Sequence, residues 1–331
     1  MKIDIFAHIL PEKYIRAIER NIPPEEFGPF QSMYKPFPAL TDLSQRFKIM
    51  DQHEGYTQVL THTVPFLESV VKPEVLDDLV KMGNDILAEL LTKYPDRFIA
   101  AIGNLPMHDI DAALDEIDRV ITKLQFKGIQ LCTDINGKPL DSTEFMPIYQ
   151  KMKQYDLPIL LHPARSHAVP DYATETVSKY KIHHMLGWPY DTSAAMVRLV
   201  LSHVLENYPG IKFITHHCGA MIPFLDQRIL SFVSGRDMDI YTKGLSKGPL
   251  EYLKMFYGDT ALQGSSAGLM CGYAFFGADN ILFGTDMPYG THGKQTVVEA
   301  TIDSINQLNI PENEKQKIFA TNTIKLLKLQ K

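Results

Sequence analysis

The stretch from residue 98 to residue 133, "FIAAIGNLPMHDIDAALDEIDRVITKLQFKGIQLCT", sets the architecture. Its ends, Phe98 to Leu105 and Gly128 to Thr133, are apolar runs of strand length. Between them Asp109 to Leu124 has helical periodicity and opens on an aspartate suited to capping a first turn. A strand, a helix and a second strand in that order imply parallel pairing, because a hairpin cannot join parallel neighbours.

The unit recurs along the chain. Further strand candidates are Lys2 to His8, Gln58 to Thr63, Pro158 to His162, Lys212 to His216, Phe256 to Thr260 and Ile281 to Thr285, which brings the set to eight. Helical stretches lie between them. In Pro73 to Tyr94 the residues Val75, Leu79, Met82, Ile86, Leu87 and Leu90 keep close to a 3.6-residue period, and Ser142 is placed to cap a helix running to Tyr155. Eight such repeats predict an α/β fold of the (β/α)8 TIM-barrel type. A doubly wound open sheet is the other arrangement, but no candidate first strand is followed by its Gly-rich dinucleotide turn. Two long stretches, Asn21 to Ala39 and Ala164 to Tyr190, read as irregular insertions at the C-terminal face, in the manner of lids or interface arms. With no linker, repeat or low-complexity tract in view, a single domain over residues 1–331 is expected.

Composition narrows the partners. The 331 residues are 45% hydrophobic and 22% charged, with a formal net charge of -6 and no block of like charge. That pattern offers no footprint for nucleic acid or an anionic membrane. No run of eighteen apolar residues is present, and the first residues enter a strand pattern directly, so a cytoplasmic protein acting on a small molecule is expected. Cys132, Cys218 and Cys271 are widely spaced, without CxxC spacing, and read as small buried hydrophobes.

A barrel of this kind places its chemistry at the C-terminal ends of the strands. The residues there are His8, His62, His162, the adjacent pair His216 and His217, and Asp286. Histidines and a carboxylate converging from separate strands can hold a divalent metal. His8, His162, His216 and Asp286 hold equivalent positions in the repeat, in "FAHILP", "LLHPA", "ITHHCGAMIPF" and "LFGTDMP", and are read as one shared site. His53, His108, His167, His183, His184, His203 and His292 fall in helices or loops and read as ordinary histidines.

These motifs, with "RFIAAIGNLPMHDIDAALDEIDR", "QFKGIQLCTDINGKPLDSTEFMPIYQKM" and the closing "IFATNTIKLL", resemble one branch of the amidohydrolase superfamily over nearly the whole chain. The branch contains aminocarboxymuconate-semialdehyde decarboxylase and the hydroxybenzoate (γ-resorcylate type) decarboxylases. The resemblance implies a distorted barrel with one divalent metal, zinc or manganese, and a homodimer. It implies metal binding by His8, His162 and Asp286, with Asp286 also serving proton transfer. His216 matches an acid/base histidine, with His217 as the alternative one position on, since neighbours on a strand point to opposite faces. Arg228 matches an arginine that grips a substrate carboxylate, in some members from across a dimer interface; a planar guanidinium suits that role.

One position departs from the pattern. Members carry His-x-His or Glu-x-His on the first strand, whereas this chain has Phe6-Ala7-His8. Residues i and i+2 share a strand face, so Phe6 should fill the volume of the missing ligand. Three ligands still suffice for a catalytic metal completed by water and substrate. The leading expectation is non-oxidative decarboxylation of a small aromatic or unsaturated carboxylic acid, with Phe66, Trp188 and Tyr190 walling the pocket. Metal-dependent hydrolysis of a lactone or hydration of an unsaturated acid is the alternative, and a barrel reduced to a binding protein is the third.

Overall fold

Eight short parallel strands run in chain order around a closed ring: β1 (Lys2–Ile9), β2 (Tyr56–His62), β3 (Phe98–Ala101), β4 (Ile129–Cys132), β5 (Ile159–His162), β6 (Phe213–Thr215), β7 (Tyr257–Asp259) and β8 (Ile281–Leu282). They belong to a computed structural model that describes residues 1–62, 67–292 and 295–330. Regular ladders join β1, β2 and β3 in one group and β4 to β8 in another. Two seams complete the circle. Gly103 bridges to Ile129 and Ala7 to Met287, both parallel. The first seam carries Gly103 N to Gly128 O and Gln130 N to Gly103 O; the second carries Ile5 N to Phe283 O, Asp286 N to Phe6 O and His8 N to Met287 O. The open sheet is thereby excluded, and the fold is a (β/α)8 barrel.

Strand alternation sorts the side chains. Val59, Ala100, Leu160, Ile214 and Leu282 meet inside the ring with Ile3, Ile5 and Phe6. Their neighbours Leu60, Ala101, Leu161, Phe213 and Phe283 point outward to a larger core shared with helical residues such as Leu87, Ile117 and Leu199. Strand β1 breaks the alternation, since Ile5 and Phe6 both enter the interior cluster. Its register with β2 slips between Asp4 and Ala7, the signature of a bulge that resets which residues point inward.

The helices follow local chemistry. Asp109 caps the helix Ile110–Asp118, accepting from the amides of Asp111 and Ala112 at 2.9 and 3.1 Å. That helix widens into a π turn at Arg119–Lys123. Pro73 opens Pro73–Lys93 from the first helical position, where no amide is needed. Ser142 makes no side-chain cap; a 3-10 turn, Thr143–Phe145, leads into the helix Met146–Tyr155 instead.

Asn21 to Ala39 is not irregular. Pro24 starts an eleven-residue helix, Pro24–Tyr34, whose Phe30 is buried. With Leu10, Tyr14, Ile15, Ile18 and Leu40 it builds a separate apolar cluster, against which Tyr289 packs. Ala164 to Tyr190 is mostly turns, with Asp171 accepting from Ser178 Oγ and Lys179 N, before the helix Trp188–Leu201 begins. No helix among the described residues is long and apolar enough to cross a membrane.

Candidate metal centre and active site

Four strands deliver the polar residues at the mouth. His8 stands near the end of β1, His162 ends β5, His216 follows β6 and Asp286 follows β8. His8 Nε2 lies 3.2 Å from Asp286 Oδ1, and His216 Nε2 lies 3.4 Å from the same oxygen. One donor atom from each of His8, His216 and Asp286 falls within 4.8 Å of the others. His162 stands beside them, its ring 5.3 Å from that of His8 and 5.7 Å from that of His216. The histidines are buried, and Asp286 keeps 13% of its side chain exposed.

The second nitrogen of each ring has a partner. His8 Nδ1 pairs with Thr61 Oγ1 at 3.0 Å, while its buried Nε2 has no well-directed hydrogen bond. The Nδ1–H tautomer, donating to Thr61 Oγ1, would present a lone pair at Nε2 to a bound cation. His162 donates from Nδ1 to Pro163 O at 2.7 Å, and burial drives its pKa well below the usual range, so its Nε2 also keeps a lone pair. The donor atoms that come together, those of His8, His216 and Asp286, are of a kind that fits one divalent metal ion, with His162 standing just outside that group.

His216 is held differently. Its Nδ1 lies 2.5 Å from Oδ2 of Asp259, a carboxylate with no exposed surface. Burial alone would disfavour the imidazolium, but Asp259 and Asp286 outweigh it and push the pKa up to about 10. Against the opposing effect of burial, His216 and His8 hold Asp286 well below the usual carboxylate range.

The alternation expected at His216 and His217 does not continue. The strand ends at Thr215, and His217 and Cys218 turn into the left-handed region at φ 56° and 55°. The ring of His217 therefore lies 3.9 Å from that of His216, and burial lowers its pKa to about 3. Asp286 also has a positive φ, 65°; such backbone is uncommon outside glycine and concentrates at functional sites. Gly284 in "LFGTDMP" is a close approach: a Cβ there would stand 3.0 Å from Asp259 Cβ and 3.3 Å from Phe6 Cβ.

Phe6 is fully buried among the three rings, stacked on His216 at 4.0 Å and 13° and edge-on to His8 at 5.3 Å. Trp188 closes the far side, its ring 5.5 Å from His162 and its Nε1 bonded to Arg165 O. His62 turns away, both ring nitrogens facing carbonyls, of Ile9 and Gly83, so it ties β2 to its neighbours. Arg228 is exposed on the helix Asp226–Val233 and lies over the ring of Phe232, away from these residues of its own chain. Tyr190 is exposed, and Phe66 lies outside the described residues.

Sequence reasoning passed over three contributors. Asp259 ends β7 in "YGDTA", the strand-end position that singled out Asp286, so the same rule finds it. Tyr289, 5.7 Å from His8, arrives from a loop and His184, 4.0 Å from Trp188, from the π turn His183–Gly187, and neither carries a comparable signal.

The sequence profile described as amidohydrolase matches residues 43–329. The chain belongs to the amidohydrolase family. It is 26% identical to 2-amino-3-carboxymuconate-6-semialdehyde decarboxylase of Dictyostelium discoideum, over 99% of this chain and 92% of that one. It is 27% identical to a γ-resorcylate decarboxylase of a Rhizobium species, over 86% of each. Among solved structures, a dihydroxybenzoic acid decarboxylase of a Polaromonas species, with bound manganese and 2-nitroresorcinol, superposes with a TM-score of 0.78 at 24% identity, over 99% of this chain and 96% of that one.

Replacing Asp259 by Asn removes an anion that favours protonated His216. In chelator-treated protein, histidine NMR titration should show the His216 pKa falling from about 10 toward the ordinary range. Because the folded value is raised, the stabilising contribution of charged His216 is full below pH 6.5 and fades as pH rises toward 10. In Asp259→Asn that fading should be smaller and complete at a lower pH in urea titrations.

Proposed function

We propose that this chain is a metal-dependent, non-oxidative decarboxylase of a small aromatic or unsaturated carboxylic acid, working as one domain and as a cytoplasmic homodimer. The observation that carries this reading is the joint at Asp286, whose Oδ1 is shared by His8 and by a histidine braced on a second carboxylate. The decarboxylase relatives support it.

His8, His162 and Asp286 would hold the metal, manganese or zinc, which supplies Lewis acidity toward the substrate's carboxylate or an adjacent hydroxyl. The chain's own residues do the rest. As the bond to the carboxylate breaks and CO2 leaves, its electron pair stays on carbon and takes up a proton. His216, fixed at Nδ1 by Asp259 and directed at Asp286 by Nε2, is placed with Asp286 to deliver that proton. His217 is the neighbouring ring, and its backbone, turned into the left-handed region, leaves His216 as the ring aimed at Asp286. Phe6 and Trp188 would wall the substrate ring and keep water from the carbanion-like state. The enclosed histidines favour this chemistry over hydrolysis, which needs a water held at the metal.

Arg228 would reach a substrate carboxylate in the partner's cleft. Phe232 beneath its guanidinium is 61% exposed, and Phe224, Ile240 and Tyr241 are exposed on the same stretch of chain; exposed apolar surface of this kind suits an interface.

Purified protein supplied with manganese or zinc should release CO2 from hydroxybenzoates or related unsaturated acids and lose that activity on chelation; no release with either metal, or lactone hydrolysis in its place, overturns the reading. Phe6→His should raise metal affinity by about tenfold or more in calorimetry by restoring a fourth protein ligand, and unchanged affinity would remove Phe6 from the ligand question. Sedimentation should give a dimer for the parent protein and a monomer for Phe232→Glu.

A further inference from the structure

Behind the mouth, on the outer face of β1, lies a buried polar chain that the chemistry above does not use. Arg46, from the helix Leu43–Met50, has no exposed surface. It donates from Nε to Ala39 O at 3.1 Å, from Nη1 to Gln58 Oε1 at 2.6 Å, and from Nη2 to the carbonyl of His8. Gln58 passes the connection on, donating from Nε2 to the Tyr56 hydroxyl at 2.9 Å. Tyr56 donates to Asp4 Oδ2 at 2.5 Å. Asp4, also fully buried, accepts from Thr285 N at 3.0 Å and Thr285 Oγ1 at 2.5 Å, and from Phe6 N at 3.1 Å.

The two ends of this chain grip the backbone beside the two residues that meet at the mouth. Arg46 holds the carbonyl of His8 itself, and Asp4 holds the amide next to Asp286. They do so at the β8–β1 seam, where a single bridge, Ala7 to Met287, stands in place of a regular ladder. Asp4 also braces the bulge that turns Phe6 and His8 inward, since its Oδ1 takes the Phe6 amide. Burying a guanidinium and a carboxylate is costly, and well-packed apolar residues of the same volume often give equal or greater stability. What a fully hydrogen-bonded buried network adds is one defined geometry.

We infer that Arg46, Gln58, Tyr56 and Asp4 are positioning residues that set the separation of His8 from Asp286, and through it the affinity for the metal and the rate of the chemical step. The inference rests on the reading that His8 and Asp286 bind metal. A change of one atom at Tyr56 cuts the chain while leaving the aromatic ring in the core.

The test compares the full-length parent with Tyr56→Phe and Arg46→Lys. Manganese and zinc affinity is measured by calorimetry, folding by circular dichroism and urea titration, and turnover on whichever hydroxybenzoate the parent decarboxylates. Tyr56→Phe, folded, should bind metal about tenfold more weakly, the lower end of what losing a partner behind a metal ligand does, and kcat should fall with KM unchanged. Arg46→Lys keeps the charge but cannot serve Gln58 and the His8 carbonyl together with a fixed fork, and should weaken binding in the same direction. If both variants are merely less stable to urea while metal affinity and kcat match the parent, the network is scaffolding and the inference is wrong. If the parent binds neither metal, the metal reading fails and this inference with it; if the parent binds and the variants bind equally, this inference alone fails.

Discussion

The hydrogen bonds from His8 N to Met287 O and from Asp286 N to Phe6 O join the first strand of the chain to its last, and they carry two functional side chains into contact as they do so. Closing the barrel and assembling the mouth are therefore one event. Until β8 docks on β1, Asp286 lacks His8 beside it, and the interior cluster of Ile3, Ile5, Phe6 and Leu282 is open at one side. Side chains at this seam add to those backbone bonds. Asp4 alone takes three hydrogen bonds from the β8 side and its own strand, two of them from Thr285.

Much of the fold was legible because the strands are buried on both faces and so read as short apolar runs, with amphipathic helices between them. The candidate strands Lys2 to His8 and Pro158 to His162 match β1 and β5 to within a residue. Phe98 to Leu105 and Ile281 to Thr285 ran too long, because ladder pairing ends at Ala101 and Leu282 while the apolar run continues to the barrel rim. The helix Pro24–Tyr34 was missed for a different reason. Its prolines look like breakers, yet Pro24 occupies the first helical position, where proline is accommodated.

The site was legible as a set of strand ends and opaque as a set of roles. His62 satisfied the positional rule as well as His162 did; only the carbonyls of Ile9 and Gly83 on its two nitrogens separate them. The pairing of His216 with Asp259 joins residues 43 apart through a contact no spacing rule encodes. The bulge in β1 is equally hidden, since a strand's inward phase can be read from alternation only while alternation holds.

Phe6 takes its meaning from the same geometry. Its ring stacks on an imidazole whose pKa two carboxylates raise to about 10, so in the charged form of His216 the face of the phenyl meets a cation in a desolvated place. Such a contact is worth about 2 kcal/mol when water is excluded. A carboxylate or histidine at that position would instead offer a lone pair to the mouth and draw on the same ring's charge. In the reading proposed, the substitution trades one metal ligand for a wall that both excludes water and favours the charged form of His216. The two effects oppose each other: a weaker hold on metal, and a proton more firmly kept beside the carbon that must receive it.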